Sequence, residues 1–477
     1  MAACIWSTQE YRFYNMESNW LFLYDWSDIF SKFSRVGGLS LLTASFMMQF
    51  MRIPFVGPLL TAAVYMLSAF MMYKTFSKTC KGPVASGLSL IPVAFLFLCL
   101  ENDYYEFYAH VGFMLTVAAL WGYVSVQDLG KRLIAGLVIV PALYFVAGSV
   151  ASVFAVTACL IEVTQSRLKG LPALSYIAVN LIVAYVCVRN GWTASWETAL
   201  SPFMYYSRPS TYYFPLYAWA LVPLAFMAAW AISFVNLKQK TAIICAIALA
   251  VSAFFLAGNF YSKVHSKSSY RMIQEQYMAD NGQWEEIIST ADRRQPTYLV
   301  SYLNLALAQK DMLLKNFMYF NPQDLSVVML PTPNLKSGLS MQSNIYLSWG
   351  YVASARKAAF DGNLVTPGSM HPRLLQILVQ SNLVLGADDV AEKYIKLLEK
   401  SLFYRSWAKG MRRFLNNPEA VRKDPYLGHL SASLPIKDEY ARYDGLLGDM
   451  RDILEANPTH RILAQFYELY QILDQED

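Results

Sequence analysis

Residues 133–162 read LIAGLVIVPALYFVAGSVASVFAVTACLIE, an apolar stretch of thirty residues that ends on a glutamate. As one helix this stretch would span ~45 Å at 1.5 Å per residue, whereas the hydrocarbon core of a bilayer is only ~30 Å thick. Gly148 and Ser149 lie in its middle, and glycine tolerates the backbone angles of a sharp bend. We therefore predict two short membrane-spanning helices joined by a tight turn at Gly148.

Other apolar stretches lie on both sides of this pair. A spanning helix needs ~20 mostly apolar residues, with a usual range of about 17–25. The stretches that meet this condition are Ile53–Tyr73, Val84–Leu100, Tyr105–Val126, Leu171–Val188, Tyr213–Val235 and Thr241–Phe260. With the two helices of 133–162 they predict eight spans, or nine if Val36–Met51 also crosses. The earlier stretch from Tyr11 to Phe33 mixes aromatic and charged side chains, which is typical of a segment in the membrane interface.

The composition separates two regions. Hydrophobic residues make up 55% of the 477 residues and charged residues 15%, whereas soluble domains carry about 25% charged residues. Residues 1–260 contain 15 Lys or Arg and 10 Asp or Glu, and residues 261–477 contain 24 of each. This excludes a single soluble globule, a disordered chain and a fibrous protein. We predict an interfacial aromatic segment (1–35), a transmembrane domain of 8–9 helices (36–260) and a soluble tail (261–477).

Neither charge nor cysteine content indicates a nucleic acid, a metal or a redox partner. The net charge of +5 is spread over membrane-flanking loops, whereas a nucleic-acid interface needs a clustered basic face. All six cysteines precede residue 261, and no CxxC pair or Cys/His metal spacing occurs. Gly37 and Gly38 lack the lysine or the further glycines of a phosphate-binding loop. The sequence therefore predicts no cofactor, no metal site and no nucleic-acid partner.

The distribution of Lys and Arg over the short loops predicts the orientation in the membrane. One set of alternate loops carries nine basic residues: Lys74, Lys78, Lys81, Lys131, Arg132, Arg167, Lys169, Lys238 and Lys240. The other set carries three: Arg52, Arg189 and Arg208. Because cytoplasmic loops are enriched in Lys and Arg, the first set is predicted to be cytoplasmic. The tail after Phe260 then lies on the opposite side of the membrane, which is the periplasm if the cell has two membranes.

The tail shows apolar residues at helical spacing, separated by short breakers. Its clearest unit is Arg373–Leu402, whose only glycine, Gly386, lies at a predicted turn between two helices. This pattern is typical of a tetratricopeptide repeat, a helix-turn-helix unit of ~34 residues. Weaker units lie at 282–307 and Tyr346–Phe360, and a proline-containing insertion at Asn321–Gly338. We predict an all-α protein, a polytopic transmembrane helix bundle followed by a soluble, tetratricopeptide-like α-helical-repeat domain.

Short motifs near both ends carry a family resemblance. The first group comprises Gln9-Glu10, the aromatic run to Phe33, Gly37-Gly38 and Phe46–Phe50. The second comprises Arg373-Leu374-Leu375, Ala391-Glu392-Lys393-Tyr394 and LFYRSWA at 402–408. With these motifs the chain resembles an uncharacterised family of bacterial polytopic integral membrane proteins that have a helical tail and no known activity. Members typically begin with one more spanning helix before the Gln-Glu pair, so the resemblance implies that this helix is missing here or that the start is internal.

The most suggestive polar cluster lies between two predicted spans, at residues 101–110 (ENDYYEFYAH). If this stretch is helical, Asp103, Glu106 and His110 share one face, because their spacings are three and four residues. Carboxylates at a membrane boundary are costly unless they are solvated or paired, so they mark candidate functional sites. These residues would act as a general base for a hydroxyl acceptor, or as ligands of a divalent cation that holds a phosphate leaving group. The alternative is an aromatic belt whose loop acids face water.

Other ionisable residues receive structural interpretations. Glu162 ends a span beside Arg167 and Lys169, and we predict a local ion pair there. Four histidines of the tail are isolated in the sequence and are predicted to lie on solvated surface: His265, His371, His429 and His460.

These patterns leave two functional hypotheses from different classes. The first is a cell-envelope anchor or scaffold in a bacterial inner membrane, whose periplasmic tail binds an envelope protein, since concave solenoid surfaces usually bind protein or peptide. The alternative is a glycosyltransferase-like enzyme that uses a lipid-linked sugar at the outer membrane face, with Asp103, Glu106 and His110 as catalytic residues. A transporter is less favoured, because few acids lie within the spans and the hydropathy shows no inverted repeat. The predicted partners are therefore the lipid bilayer and a protein.

Overall fold

The computed structural model describes residues 1–208, 213–235, 237–293, 297–320, 336–435 and 445–474. Within these ranges the chain is helical and contains no β-strand, apart from an isolated antiparallel bridge between Tyr105 and Tyr206. The predicted all-α class is therefore confirmed. The chain divides into two compact units. We call Met1–Met16 with Asp25–Ser266 the membrane unit, and Glu17–Tyr24 with Lys267–Asp477 the C-terminal unit.

The helices of the membrane unit begin where the sequence supplies suitable first-turn residues. Pro83 and Pro215 lie in the first turns of α5 and α11, where a missing backbone N–H costs nothing. Asp128 caps α7, because its side chain accepts a hydrogen bond of 2.8 Å from the N–H of Lys131. The helices are α1 (Ala2–Glu17), α2 (Trp26–Phe33), α3 (Gly38–Met48), α4 (Val56–Phe76), α5 (Gly82–Leu98), α6 (Tyr108–Ser125), α7 (Leu129–Ala147), α8 (Ala151–Ser166), α9 (Ser175–Arg189), α10 (Trp196–Leu200), α11 (Phe214–Ser233) and α12 (Gln239–Val264).

Within the described ranges, six helical stretches are long and apolar enough to cross a membrane. They are Val56–Phe76, Gly82–Glu101, Leu129–Ala147, Ala151–Arg189, Phe214–Ser233 and Gln239–Val264. Their mean hydropathies lie between 1.5 and 2.3. The chain is therefore an integral membrane protein.

These six stretches coincide with predicted spans, and the count of eight or nine crossings stays a prediction. Tyr108–Ser125 is helical but is not one of the six, because polar and aromatic side chains lower its hydropathy. Ala151–Arg189 counts once, although a 3-10 segment (Arg167–Leu174) separates α8 from α9. These two helices have 16 and 15 residues, fewer than the ~20 that one crossing needs. The range Val36–Met51 contains the 11-residue helix α3, which is followed directly by a 3-10 helix at Gln49–Arg52.

The predicted turn at Gly148 is confirmed. α7 ends at Ala147 and α8 begins at Ala151, and Gly148 has a φ of +93°, where a side chain would be strained. A Cβ atom on Gly148 would also lie 2.7 Å from the hydroxyl oxygen of Tyr205. That hydroxyl donates to the carbonyl oxygen of Ala147 at 2.6 Å and accepts from the N–H of Val150 at 3.2 Å. The bend is thus fixed by both backbone geometry and side-chain contacts.

Successive helices of the membrane unit run between two opposite ends. The Nζ atom of Lys78, after α4, donates to the carbonyl oxygen of Val124 in α6 at 2.7 Å. Gln165 in α8 donates to the hydroxyl of Thr79 at 2.9 Å. The carboxyl ends of α4, α6 and α8 therefore meet at one end, which we call the basic end. The opposite end contains the turn at Gly148, and the exit of α12 lies there too.

The C-terminal unit is built from shorter helices. The predicted insertion Asn321–Gly338 falls mostly on residues 321–335, which lie outside the described residues. The helices are α13 (Lys267–Asp280), α14 (Trp284–Thr290), α15 (Thr297–Gln309), α16 (Leu313–Asn316), α17 (Lys336–Ser348), α18 (Val352–Val365), α19 (Pro372–Val384), α20 (Asp388–Glu399), α21 (Arg405–Met411), α22 (Pro418–Lys423), α23 (Pro425–Ala432), α24 (Gly445–Ala456) and α25 (Arg461–Asp474).

Four helical hairpins of this unit, α13–α14, α15–α16, α17–α18 and α19–α20, share one turn geometry. In each, three residues connect the helices, and the N–H of the third donates to the carbonyl oxygen five residues earlier at 2.8–2.9 Å. This bond is typical of a Schellman turn, which needs a left-handed residue after the helix. The turn at Gly386, predicted from the sequence, is one of them. The left-handed residues are Gly282 (φ 69°), Asp311 (φ 56°), Gly350 (φ 75°) and Gly386 (φ 71°).

The apolar side chains of the C-terminal unit form two buried clusters. One involves α17 to α23 and includes Leu374 together with Leu21 and Leu23 from the N-terminal part of the chain. The other involves α13 to α17, α24 and α25, and in it the rings of Trp349 and Phe466 lie 4.9 Å apart. The core of this unit therefore uses residues from both ends of the sequence.

Candidate functional site

The stretch 101–110 is not one helix, so the predicted common face of Asp103, Glu106 and His110 does not form. A 3-10 turn ends at Glu101, an irregular segment follows, and α6 begins only at Tyr108. The side chain of Asn102 accepts a hydrogen bond of 2.9 Å from the N–H of Tyr104, a turn that competes with helix formation. The three predicted residues consequently meet different partners.

Asp103 belongs to a buried ionic cluster around Glu101. One carboxylate oxygen of Glu101 accepts a hydrogen bond from the side-chain amide of Gln9. The other lies 3.1 Å from a guanidinium nitrogen of Arg12 and 2.8 Å from Nδ1 of His265. A second guanidinium nitrogen of Arg12 donates to Asp103. We call these five residues the Glu101 cluster.

Burial divides the Glu101 cluster into a closed core and a more open edge. The side chains of Arg12 and Glu101 are each 1% exposed, whereas those of His265 and Asp103 are 18% and 28% exposed. A buried carboxylate is tolerated only when its oxygens receive hydrogen bonds or charges, and Glu101 receives three donors or charges. The arrangement binds protein groups to one another and leaves the carboxylate of Glu101 enclosed.

Three separate parts of the membrane unit supply the cluster. Gln9 and Arg12 are three residues apart on α1, so they share a face of that helix. Glu101 follows α5, and His265 is the first residue after α12. The cluster therefore ties α1 and α5 to the point where the chain leaves the last membrane helix. In the described part of the chain, no group of three or more His, Cys, Asp or Glu side chains is arranged to hold a metal ion.

Glu106 and His110 are buried away from solvent. Glu106 is 2% exposed and His110 is fully buried. Nδ1 of His110 lies 3.1 Å from the hydroxyl of Tyr65, and its ring packs against the ring of Tyr105 with centroids 5.5 Å apart. Nε2 of His110 has no hydrogen-bond partner among the described residues. These positions are typical of packing between α4 and α6 rather than of a solvent-accessible active site.

Two cavities of the membrane unit are lined by other residues. One, at the end opposite the basic end, has a volume of about 310 Å³ and is lined by Ser34, Arg35, Val36, Phe145 and Trp192. The other, about 370 Å³, lies at the basic end and is lined by Thr79, Cys80, Lys81, Val84, Ile232, Ser233, Phe234, Val235 and Leu237. Neither is lined by Asp103, Glu106 or His110.

A second buried carboxylate, Glu162, lies at the basic end and is fully buried. Arg132 donates to its two oxygens at 2.6 and 2.9 Å. The hydroxyls of Tyr123 and Ser166 donate to it at 2.9 and 3.2 Å. The ion pair is thus formed with Arg132, on the preceding helix, and not with Arg167 or Lys169, which the sequence predicted.

The prediction that the four histidines lie on solvated surface is wrong for two of them and misses the role of a third. His371 and His460 are 0% and 1% exposed. The Nδ1 atom of each accepts a hydrogen bond from the N–H three residues later, at 3.4 and 3.3 Å. They therefore serve at the beginnings of α19 and α25, as a side-chain acceptor does at a helix N-terminus. His265 belongs to the Glu101 cluster.

Comparison with known proteins adds a family but no activity. A family model described as "Family of unknown function (DUF6057)" matches residues 2–476. No curated protein and no solved structure matches the chain. The function must therefore be argued from the residues themselves.

Proposed function

The chain belongs to a family of unknown function (DUF6057), and from this premise we propose that it is a membrane-anchored scaffold of the bacterial cell envelope. In this proposal the membrane unit lies in the inner membrane. The C-terminal unit is a tetratricopeptide-like domain that binds a protein partner in the periplasm. The observation that carries the proposal is the set of four hairpins with the same turn.

These hairpins support the repeat interpretation. Their left-handed residues, at positions 282, 311, 350 and 386, follow one another at intervals of 29, 39 and 36 residues, close to the ~34 residues of a tetratricopeptide repeat. A helical pair cannot bury its apolar face alone, so neighbouring pairs stack and leave an extended surface that usually binds protein or peptide. We therefore assign the partner to the class of proteins.

The sidedness rests on the nine basic residues that the sequence places in one set of loops. Lys78 and Arg132 lie at the basic end, which we assign to the cytoplasm because of the positive-inside rule. α12 begins beside Lys238 and runs to the opposite end, so the C-terminal unit follows outside the cytoplasm.

Fusions of alkaline phosphatase test this orientation, because the enzyme is active only outside the cytoplasm. We expect activity for a fusion after Tyr270 and none for a fusion after Lys240. The reverse pattern would contradict the assignment to the periplasm.

Photo-crosslinking in living cells tests the scaffold. Phe360 and Leu364 are one turn apart on α18 and are 45% and 56% exposed, so they form a small apolar patch on the C-terminal unit. A photoreactive amino acid at Phe360 should crosslink to one envelope protein, whereas the same amino acid at Lys357, on the same helix, should give a weaker product. Absence of a crosslinked protein at both Phe360 and Leu364 would count against a scaffold.

The enzymatic alternative is less well supported. It requires Asp103, Glu106 and His110 to converge on a substrate, but Glu106 and His110 are buried and Asp103 is paired with Arg12. It predicts that Asp103→Ala abolishes a cell-surface glycan at an unchanged protein level. The scaffold hypothesis predicts an unchanged glycan in this variant.

A further inference from the structure

Residues Glu17–Tyr24 belong to the C-terminal unit although the chain on both sides of them belongs to the membrane unit. α1 ends at Glu17 and α2 begins at Trp26, so the segment between them is an irregular connection of the kind that usually lies on a surface. Here it is buried instead. Ser18 to Leu23 are between 0 and 9% exposed, and burial ends at Tyr24, which is 45% exposed.

The backbone of this segment is bound at both ends. The carbonyl oxygen of Asn19 accepts a hydrogen bond of 2.9 Å from the N–H of Gly368, and the N–H of Tyr24 donates to the carbonyl oxygen of Lys400 at 2.7 Å. A Cβ atom on Gly368 would lie 2.9 Å from that oxygen of Asn19 and 3.0 Å from the ring of Trp20. A glycine at 368 therefore permits the close approach of Asn19 and Trp20.

Glu17 supplies a charged anchor at the beginning of the segment. Its side chain is 2% exposed, and its two oxygens accept hydrogen bonds of 2.8 Å from Arg373 and from the hydroxyl of Tyr404. Charge-assisted hydrogen bonds of this kind are stronger than neutral ones and fix the position of a carboxylate. Arg373 is the second residue of α19 and Tyr404 precedes α21, so the anchor joins two helices of the C-terminal unit.

Apolar side chains continue the contact. Leu21 and Leu23 lie in the same buried cluster as Leu374 and Leu378 of α19 and Ile395 of α20. The segment is therefore held by an anchored carboxylate, by backbone hydrogen bonds and by buried apolar side chains, and each of these contacts also occurs where proteins bind peptides.

We propose that the C-terminal unit contains a binding site for an irregular peptide segment and that residues 17–24 (ESNWLFLY) are its resident ligand. This proposal rests on the proposed scaffold function, in which the C-terminal unit binds a protein, and it specifies how that protein is bound. It identifies the partner as a segment with an acidic residue followed, three or more positions later, by aromatic and aliphatic side chains. An external segment of this pattern competes with the resident one.

The covalent tether gives the resident segment a large advantage. A short tether corresponds to an effective concentration of roughly millimolar, so an external peptide with equal contacts displaces it only near that concentration. The site is therefore closed in the resting chain and opens when the resident segment is weakened or withdrawn.

The test uses the full chain in lipid nanodiscs and a fluorescent peptide with the sequence of residues 17–24. In the double variant Glu17→Ala/Leu21→Asp the resident segment loses its anchor and an apolar contact, so the site should be vacated. We expect this variant to bind the peptide saturably, and the wild-type chain to show at least tenfold weaker binding. A scrambled peptide of the same composition controls for insertion into the lipid.

A second change localises the binding to the described site. Tyr404→Phe in the vacated background removes the hydroxyl that meets the acidic residue, and should weaken the peptide about tenfold. The same change should leave the affinity of a peptide with Ala at its first position unaltered. Such a double-mutant cycle isolates the contact between the hydroxyl and the carboxylate.

Two outcomes would overturn the proposal. One is a vacated variant that retains hydrogen-exchange protection in α19 and α20 but does not bind the peptide. The other is loss of that protection both in the double variant and in the milder Glu17→Ala, because the segment is then a part of the core and not a ligand. Neither outcome affects the phosphatase fusions or the crosslinks, so failure of this proposal is distinguishable from failure of the scaffold function.

Discussion

Two buried glutamates, one in each unit, differ in the number of hydrogen-bond donors that surround them. Glu162 of the membrane unit is fully buried and receives four donors: two nitrogens of Arg132 and the hydroxyls of Tyr123 and Ser166. Glu275 of the C-terminal unit is 1% exposed and lies 3.1 Å from one nitrogen of Arg271. Its second oxygen has no hydrogen-bond partner among the described residues.

The two carboxylates therefore differ in the number of donors that they receive, four for Glu162 and one for Glu275. Burial raises the pKa of Glu275 to about 7, and the single contact with Arg271 offsets only part of this effect. Glu275 can therefore become neutral near pH 7, outside the membrane where protons are available. Glu162 lies in the last turns of α8 and is fully buried, and there the fold supplies four donors.

Replacement of the arginine partner should give the largest difference in stability loss between the sites of Glu162 and Glu275. We expect Arg132→Met to destabilise the membrane unit by about 3–5 kcal/mol, because it leaves the carboxylate of Glu162 buried without its ion-pair partner. Arg271→Met should destabilise the C-terminal unit by about 1 kcal/mol at pH 6, because Glu275, whose pKa is raised to about 7, is already mostly protonated at this pH. The stability of the membrane unit is measured by unfolding the full chain in detergent with increasing SDS. The stability of the C-terminal unit is measured by pulse proteolysis in urea. Arg132→Lys, which keeps the charge but loses the two-point contact, should fall between. Equal losses at the two sites would contradict the comparison.

The pH dependence of the C-terminal unit should report on Glu275. The pKa of Glu275 is raised to about 7 in the folded chain from 4.5, so between these values the unfolded chain has lost a proton that the folded chain keeps. Stability therefore falls as the pH rises from 4.5 to 7.5, by about 3 kcal/mol for this group. Glu275→Gln should remove this slope while filling the same space. If Glu275→Gln retains this pH dependence of stability, another titratable group causes it.

His460 should make the stability of the C-terminal unit depend on pH in the opposite direction, so it provides a matched test of how a shifted pKa affects stability. Burial, with a smaller effect from the neighbouring His429, lowers the pKa of His460 to about 4 from 6.5. Below pH 6.5 the unfolded chain binds a proton that the folded chain does not, so stability falls as the pH drops, by about 2 kcal/mol at pH 5. His460→Asn keeps a side-chain acceptor at the start of α25 and should remove this loss.

Because the two slopes oppose each other between pH 4.5 and 6.5, the wild-type chain should be nearly insensitive to pH in that range. The free energy of unfolding is measured by pulse proteolysis at several pH values. Glu275→Gln should then show the pH dependence caused by His460, and His460→Asn the pH dependence caused by Glu275. A wild-type profile that already rises or falls by about 2 kcal/mol across this range would contradict the balance.

Parts of the fold that depend on length and local sequence could be predicted. The turn at Gly148 follows from the excess length of 133–162, and the turn at Gly386 from a single glycine in a helical pattern. The pairing of Glu162 with Arg132 is also indicated by the positions of the two residues in the sequence. Arg132 lies 16 residues before Gly148 and Glu162 lies 14 residues after it, so two helices that fold back at Gly148 bring them together.

The Glu101 cluster could not be predicted because its members are far apart in the sequence. Arg12 lies 89 residues from Glu101, and His265 lies 164 residues from it, and periodicity carries no information over such separations. One indication was present. Arg12 is the only basic residue among the first 31, and a single arginine in an aromatic segment needs an acidic partner. That argument would have indicated the acids near residue 101, but not which of them.

The smallest expected effect tests whether the donors of Glu162 are redundant. Ser166 is the weakest of the four, at 3.2 Å, and Glu162 keeps both nitrogens of Arg132 and the hydroxyl of Tyr123 when it is lost. Ser166→Ala should therefore destabilise the membrane unit by no more than about 1 kcal/mol in SDS unfolding, because no buried charge is left without a donor. Tyr123→Phe removes a shorter bond, at 2.9 Å, and also the contact of 3.1 Å between the hydroxyls of Tyr123 and Tyr176. Its effect should be larger than that of Ser166→Ala and smaller than that of Arg132→Met. If Ser166→Ala destabilised the membrane unit as much as Arg132→Met, Glu162 would depend on all four donors. The stability of the site around Glu275, which has a single contact, would then have to be explained by protonation of Glu275 alone.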